Sequence, residues 1–147
     1  MRIGAWLMPV VFFVGGLAGT AAIGLWPGQN EGVSGHTFGM CGGPPHRNCV
    51  IDGDTFYLGR QSIRIADIDA PETHPPRCAH EADLGMRASR RLRELLNSGS
   101  FDLVGEGQDR YGRQLRTIVR DGRSLGSVLV SEGLARRWTG RRMPWCG

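Results

Sequence analysis

Between positions 79 and 97, apolar side chains recur at Leu84, Ala88, Leu92 and Leu95, the spacing of one helix face. Asn97-Ser98-Gly99 then supplies helix-stopping residues, so the pattern predicts a helix over 79–97. Two short β-prone runs, Thr55–Leu58 and Ser62–Ile65, flank Gly59-Arg60-Gln61 and predict a hairpin. Phe101–Val104 and Leu115–Val119 read as two further strands, with Arg120-Asp121-Gly122-Arg123 as the turn after the second. Ser124 has the hydroxyl to cap a short helix running to about Ser131. Gly133 ends that helix, and Leu134–Trp138 is a last extended piece. The order β-β(-β)-α-β-β-α predicts an α+β fold, mainly β, in which a five-stranded Greek-key barrel with two or three packed helices is the simplest closure.

The pattern changes abruptly at the start of the chain. From Ile3 to Trp26 there is no charged residue over 24 positions. About 20 apolar residues span a bilayer as a helix, whereas a cleavable signal core is only about 7–15 long. Residues 1–26 are therefore expected to be an N-terminal membrane anchor or a signal peptide, and Thr20-Ala21-Ala22 keeps cleavage open. Arg2 is the only charge before the run and the next arginine is Arg47, which puts the remainder of the chain outside the cytoplasm. Residues 27–48 are rich in Gly, Pro and polar residues without periodicity, and read as a flexible linker of roughly 25 Å root-mean-square reach. No specific role is expected there for His36 or His46. The domain proper is then 49–147, with a modest core that staples would help.

Four cysteines, Cys41, Cys49, Cys78 and Cys146, fit an exported domain with two disulfides. Three pairings are possible, and closeness in sequence favours Cys41–Cys49 with Cys78–Cys146. Zinc is the rival reading, with His74-x3-Cys78-x-His80 as its only ligand-like cluster.

Composition narrows the function classes. The chain has 147 residues, one domain's worth, with 40% hydrophobic and 22% charged residues, which excludes wholesale disorder. The net charge of +4 favours an anionic partner. All 18 basic residues are arginine, which excludes a lysine nucleophile, a Schiff base and a P-loop.

Against that basic background, Asp52, Asp54, Asp67, Asp69 and Glu72 lie in a window that holds only Arg60 and Arg64 as counter-charges. Crowded carboxylates raise one another's pKa, and a hard divalent cation with oxygen ligands resolves the repulsion. Strict strand alternation would put Arg64 and Asp69 on opposite faces, so they converge only if the chain bends near Asp67, as Pro71 suggests. Asp109-Arg110-Tyr111-Gly112-Arg113 supplies a second arginine from a loop before a strand. A cation that polarises a phosphoryl oxygen, a carboxylate that activates water and two guanidinium forks are the parts phosphodiester hydrolysis needs.

Ile51-Asp52-Gly53-Asp54-Thr55, Ile63-Arg64 through Asp69-Ala70-Pro71-Glu72-Thr73, Asp109-Arg110-Tyr111-Gly112-Arg113 and Gly133-Leu134-Ala135 together resemble the thermonuclease (staphylococcal nuclease-like) family over roughly 49–138. The resemblance implies an OB-type barrel and Ca²⁺-dependent hydrolysis of DNA or RNA, typically leaving 3′-phosphates. It implies Asp54, Asp69 and the Ala70 carbonyl as Ca²⁺ ligands, Arg64 and Arg113 on the scissile phosphate, Glu72 on the attacking water and Tyr111 beside the nucleotide. Asp52, Asp67 and Asp109 are expected to be turn, capping or supporting groups. Ala70 stands where the family's best-known member has threonine, the stretch from Glu72 to Glu81 is shorter than the family's loop and carries Cys78, and the family's tyrosines after Gly-Leu-Ala are not evident.

Arg136, Arg137, Arg141 and Arg142 bracket Trp138, as in a single-strand track with a stacking platform, so Arg136, Arg137 and Trp138 are expected to contact substrate. Arg87, Arg90, Arg91 and Arg93 read as a solvated helix face, and Trp145 as packing near Cys146. The expected partners are single-stranded DNA or RNA, and the membrane if residues 1–26 stay attached, with no obligate protein partner and a monomeric state. A non-catalytic OB-type nucleic-acid-binding module and a stapled adaptor for anionic envelope polymers are the alternatives.

Overall fold

The computed structural model describes residues 31–147. The expected anchor over 1–26 lies outside them; among the described residues, no helix is long and apolar enough to cross a membrane. Strands run over β1 (Glu31–Val33), β2 (Gly39–Met40), β3 (Cys49–Asp52), β4 (Thr55–Leu58), β5 (Gln61–Ile65) and β6 (Ile68–Asp69). After helix α1 (Ala79–Asn97) come β7 (Phe101–Val104), β8 (Gln114–Arg120), β9 (Arg123–Ser124), helix α2 (Leu125–Ser131) and β10 (Arg136–Arg137).

The main sheet has the order β1-β7-β8-β5-β4-β3-β2, with β9 also paired to β8. Its five longest strands, β3, β4, β5, β7 and β8, form the curled OB-type half-barrel. The pairing of β5 with β8 is parallel and bridges the chain across α1. A two-stranded ribbon of β10 and β6 lies apart from this sheet.

Local chemistry explains the elements. At the start of α1 the Cys78 sulfur accepts the Glu81 N–H, and the helix buries Ala88, Leu92, Leu95 and Leu96. The hairpin turn uses Gly59 at φ +56°, and Asp121 and Gly122 both take positive φ at the β8–β9 turn, as a tight right-twisted hairpin requires. The Ser124 side chain accepts the Ser127 N–H at the start of α2.

The stretch 27–48, expected to be a flexible linker, is folded onto the domain over its described residues. β1 extends the sheet beside β7, and β2 pairs in parallel with β3. Phe38 is 2% exposed and packs edge-on to Phe56 at 5.8 Å between ring centroids, with Phe101 at 6.1 Å. The Asn97 carboxamide clamps it from the end of α1, accepting the Phe38 N–H at 2.8 Å and donating to its carbonyl at 2.9 Å. Aromatic burial of this size outweighs the entropy that the glycines in this arm would otherwise keep.

The disulfides are Cys41–Cys49 and Cys78–Cys146. The first ties β2 to β3; the second ties the end of the chain to the cap of α1. Oxidised sulfurs remove the thiolates a zinc site needs, both at Cys78 and in the close Cys41, His46, Cys49 group.

Candidate active site

The carboxylates gather at one end of the half-barrel because two tight turns meet there. Gly53-Asp54 joins β3 to β4. Gly53 has no room for a side chain: a Cβ would lie 2.6 Å from that of Ala88 and 2.8 Å from that of Ala70. This close approach seats Asp54 in the interior, 1% exposed. The chain leaves β5 at Ile65, turns at Ala66-Asp67 and re-enters as β6, which brings Asp69 back toward Arg64.

Asp54 is held from three sides. Its Oδ2 accepts the Ala70 N–H at 2.8 Å and lies 3.2 Å from the Arg64 guanidinium, while its Oδ1 accepts the Thr55 hydroxyl at 3.0 Å. Arg64 is itself buried and also donates to the Ile65 and Ile68 carbonyls, which fixes its plane. Asp69 is buried with 3.8 Å to Arg64, and its Oδ1 has no hydrogen-bond partner. Burial pushes the Asp69 carboxyl up, against the pull of Arg142. Asp52 is raised further, to about 7, by burial first and then by the negative charge of Asp54.

These buried acids, in excess of their counter-charges, fit a hard divalent cation by their all-oxygen donor set. Asp54 and Asp69 offer carboxylate oxygens, and Ala70 is adjacent to Asp69 in the same segment.

Arg113 enters from the loop between β7 and β8. Its Nε donates to Asp109 at 2.6 Å and its Nη1 lies 3.4 Å from the Thr55 hydroxyl. Burial works against the Asp109 charge, but bonds from the Arg113 side chain and from the backbone N–H groups of Arg113 and Tyr111 outweigh it and hold the carboxyl below its usual range. Thr55 thus links Arg113 to Asp54, a connection that sequence reasoning missed although Thr55 stands next to Asp54. Tyr111 is 69% exposed and lies beside Arg113, 5.5 Å from guanidinium to ring centroid.

Arg64, Arg113, Trp138 and Arg142 line one pocket of about 250 Å³. Trp138 lies 5.9 Å from the Arg64 guanidinium. Glu72 is half-buried and pairs with Arg142, a residue expected only as one of the arginines bracketing Trp138. Arg136 turns instead to the tail, donating to the Pro144 carbonyl at 3.0 Å and lying 3.8 Å over the Trp145 ring; Arg137 is exposed on β10. Asp67 braces α2 by accepting the Ser124 hydroxyl at 2.5 Å.

Residues 62–143 match the family described as Staphylococcal nuclease homologue. Endonuclease YncB of Bacillus subtilis (strain 168) is 41% identical over 94 residues, covering 59% of this chain and 44% of that protein. SPbeta prophage-derived endonuclease YokF of the same strain is 41% identical over 94 residues, covering 59% of this chain and 31% of its own. Micrococcal nuclease of Shigella flexneri is 31% identical over 99 residues, covering 58% of this chain and 53% of its own. The chain spans about half or less of the length of these relatives.

Proposed function

This chain belongs to the staphylococcal nuclease homologue family, and from that premise we propose that it is a Ca²⁺-dependent nuclease cutting single-stranded DNA or RNA. The observation that carries the reading is that buried Asp54 and Asp69 flank Arg64, which lines one open pocket with Arg113 and Arg142, and that Arg142 in turn pairs with Glu72. Asp54, Asp69 and the Ala70 carbonyl would hold Ca²⁺, which when bound polarises a phosphoryl oxygen and offsets its charge.

The protein's own groups do the rest. Arg64 and Arg113 are pre-set by their bonds to Asp54, Asp109 and Thr55, so their free N–H groups meet the phosphoryl oxygens without reorganisation. Glu72 takes a proton from the attacking water as its oxygen bonds to phosphorus. The bond from phosphorus to the 5′-oxygen breaks and that oxygen takes a proton from solvent water, giving a 3′-phosphate and a 5′-hydroxyl. Tyr111 and Trp138 offer exposed aromatic faces beside the pocket on which unpaired bases can stack. The exposed Arg137 extends the positive surface for backbone phosphates, while Arg136 acts on substrate only through the tail it anchors.

Two disulfides favour an oxidising compartment, consistent with export on residues 1–26 as an anchor or a leader.

The test incubates the oxidised full chain with labelled single-stranded DNA and RNA in Ca²⁺ or EGTA, beside Glu72→Gln. The expected result is cutting in Ca²⁺ only, lowered by roughly 10²-fold or more in the variant. Equal cutting by both proteins, or cutting that ignores EGTA, overturns the assignment. Binding without cutting by folded wild type turns the reading to a nucleic-acid-binding module.

A further inference from the structure

Two residues near the C-terminus, Trp138 and Arg142, line the pocket. The Trp138 N–H donates to the Asp67 carbonyl at 3.0 Å, and β10 pairs with β6 so that Arg136 stands opposite Asp69. At the other end, Trp145 is 8% exposed, and Cys146 is bonded to Cys78 at the cap of α1. Between these two anchors the chain makes a short excursion, and Arg142 points inward from it. Its Nε lies 3.4 Å from Asp69 Oδ1, and its Nη1 contacts the Glu72 carboxylate. The side chain is still 38% exposed, on the wall it shares with Arg64, Arg113 and Trp138.

We propose that Arg142, held in place by the Cys78–Cys146 bridge, is a substrate-binding residue that takes a phosphate flanking the scissile one in a single strand. The inference rests on the nuclease reading above and adds to it a residue and a substrate-length preference.

Three arguments support it. First, a guanidinium has five N–H donors in a rigid fork, and contacts to two carboxylates leave donors facing the open pocket. Second, Asp69 would hold Ca²⁺ on the nuclease reading, so its negative charge would be shared between the ion and Arg142, and an anion is the partner that would offset the remaining positive charge. Third, the scissile phosphate already has Arg64 and Arg113, both fixed by neighbours. A third arginine on the same wall, beside the exposed Trp138 ring, is placed for the next phosphate of a strand whose base stacks on that ring. The two anchors, β10 and the Cys78–Cys146 bridge, hold the segment that carries this residue. A flexible tail would lose several rotatable bonds on binding, whereas the clipped one has lost them already.

The test compares two substrates in Ca²⁺: a single-stranded octanucleotide and a dinucleoside monophosphate, which has no flanking phosphate. Wild type, Arg142→Ala, Arg142→Lys and the Cys78→Ser/Cys146→Ser double variant are assayed, with Arg60→Ala at the far end of the β4–β5 hairpin as a one-charge control. Circular dichroism melts establish that each variant is folded.

The expected result is a KM for the octanucleotide raised about 10- to 100-fold in Arg142→Ala, the range of one charge-assisted hydrogen bond. KM for the dinucleoside monophosphate changes far less than KM for the octanucleotide, Arg142→Lys recovers part of the loss, and the double cysteine variant shifts KM in the same direction. A second readout needs no turnover. Octanucleotide binding to Glu72→Gln protein, followed by fluorescence anisotropy against salt in Ca²⁺, loses about 0.7 from its log–log slope when Arg142→Ala is added.

An equal fall in kcat on both substrates overturns the proposal and makes Arg142 a positioning residue for Glu72. Unchanged KM and salt slope in a wild type that cuts both substrates overturns it alone, leaving Arg142 as a counter-charge. A folded wild type that cuts neither substrate overturns the nuclease reading and this inference with it.

Discussion

Replacing Phe38 by alanine separates a folded arm from a tether. The side chain is 2% exposed and touches Phe56 and Phe101 in the centre of the half-barrel. Returning an aromatic side chain of this kind to water costs about 1.5–3 kcal/mol. The cavity it leaves between two fixed rings brings the total for Phe→Ala to about 3–5 kcal/mol. Whole-domain stabilities are about 5–15 kcal/mol, so one substitution removes a third or more of a typical value. In urea, with a slope of about 1–3 kcal/mol per M, the midpoint should drop by roughly 2 M. Asp54, Arg64 and Arg113 do not touch Phe38, so activity per folded molecule should persist at low urea. A midpoint shift below about 0.5 M would refute the packing argument, because a solvated tether residue costs almost nothing when truncated.

The two disulfides close loops of very different length, with sequence separations of 68 and 8. The loop-closure model gives about 4 kcal/mol for the first and about 2.5 kcal/mol for the second. Urea midpoints of Cys78→Ser/Cys146→Ser and Cys41→Ser/Cys49→Ser should therefore fall in that order, and the reverse order would contradict the entropic origin. Glu81 is fully buried, and its bonds from the Arg77 side chain hold its carboxyl below the usual range. A depressed carboxylate stabilises the fold above its unfolded pKa of about 4.3 and loses that contribution as pH falls through the lower folded value. Melts of wild type and Glu81→Gln should thus differ most above pH ~5 and converge on acidification; a gap constant down to pH ~3 would mean that the ion pair is not its source.

The sequence by itself determined those features whose cause is local. The helix over 79–97 follows from its apolar period and its Asn97-Ser98-Gly99 stop, the hairpin from two short β-prone runs around Gly59, and the second helix from Ser124. The carboxylates and arginines of the pocket were legible because they sit in short ordered motifs, and the need for a bend near Asp67 followed from strand alternation alone. Pairing of the four cysteines was ranked by proximity, but only the fold brings Cys146 within 6.1 Å Cα–Cα of Cys78.

What tertiary structure alone decided depends on partners distant in sequence. The arm at 31–48 has strands of two or three residues, too short for any period, and its burial depends on the edge-packed pair Phe56 and Phe101, which the fold brings together from β4 and β7. Arg142 read as one member of a basic chain end; its contact with Glu72 spans 70 residues and requires β10 to pair with β6 and Cys146 to be clipped to α1. Periodicity reports a residue's own neighbours along the chain, whereas a guanidinium placed on a carboxylate 70 residues away is the product of every element packed between them.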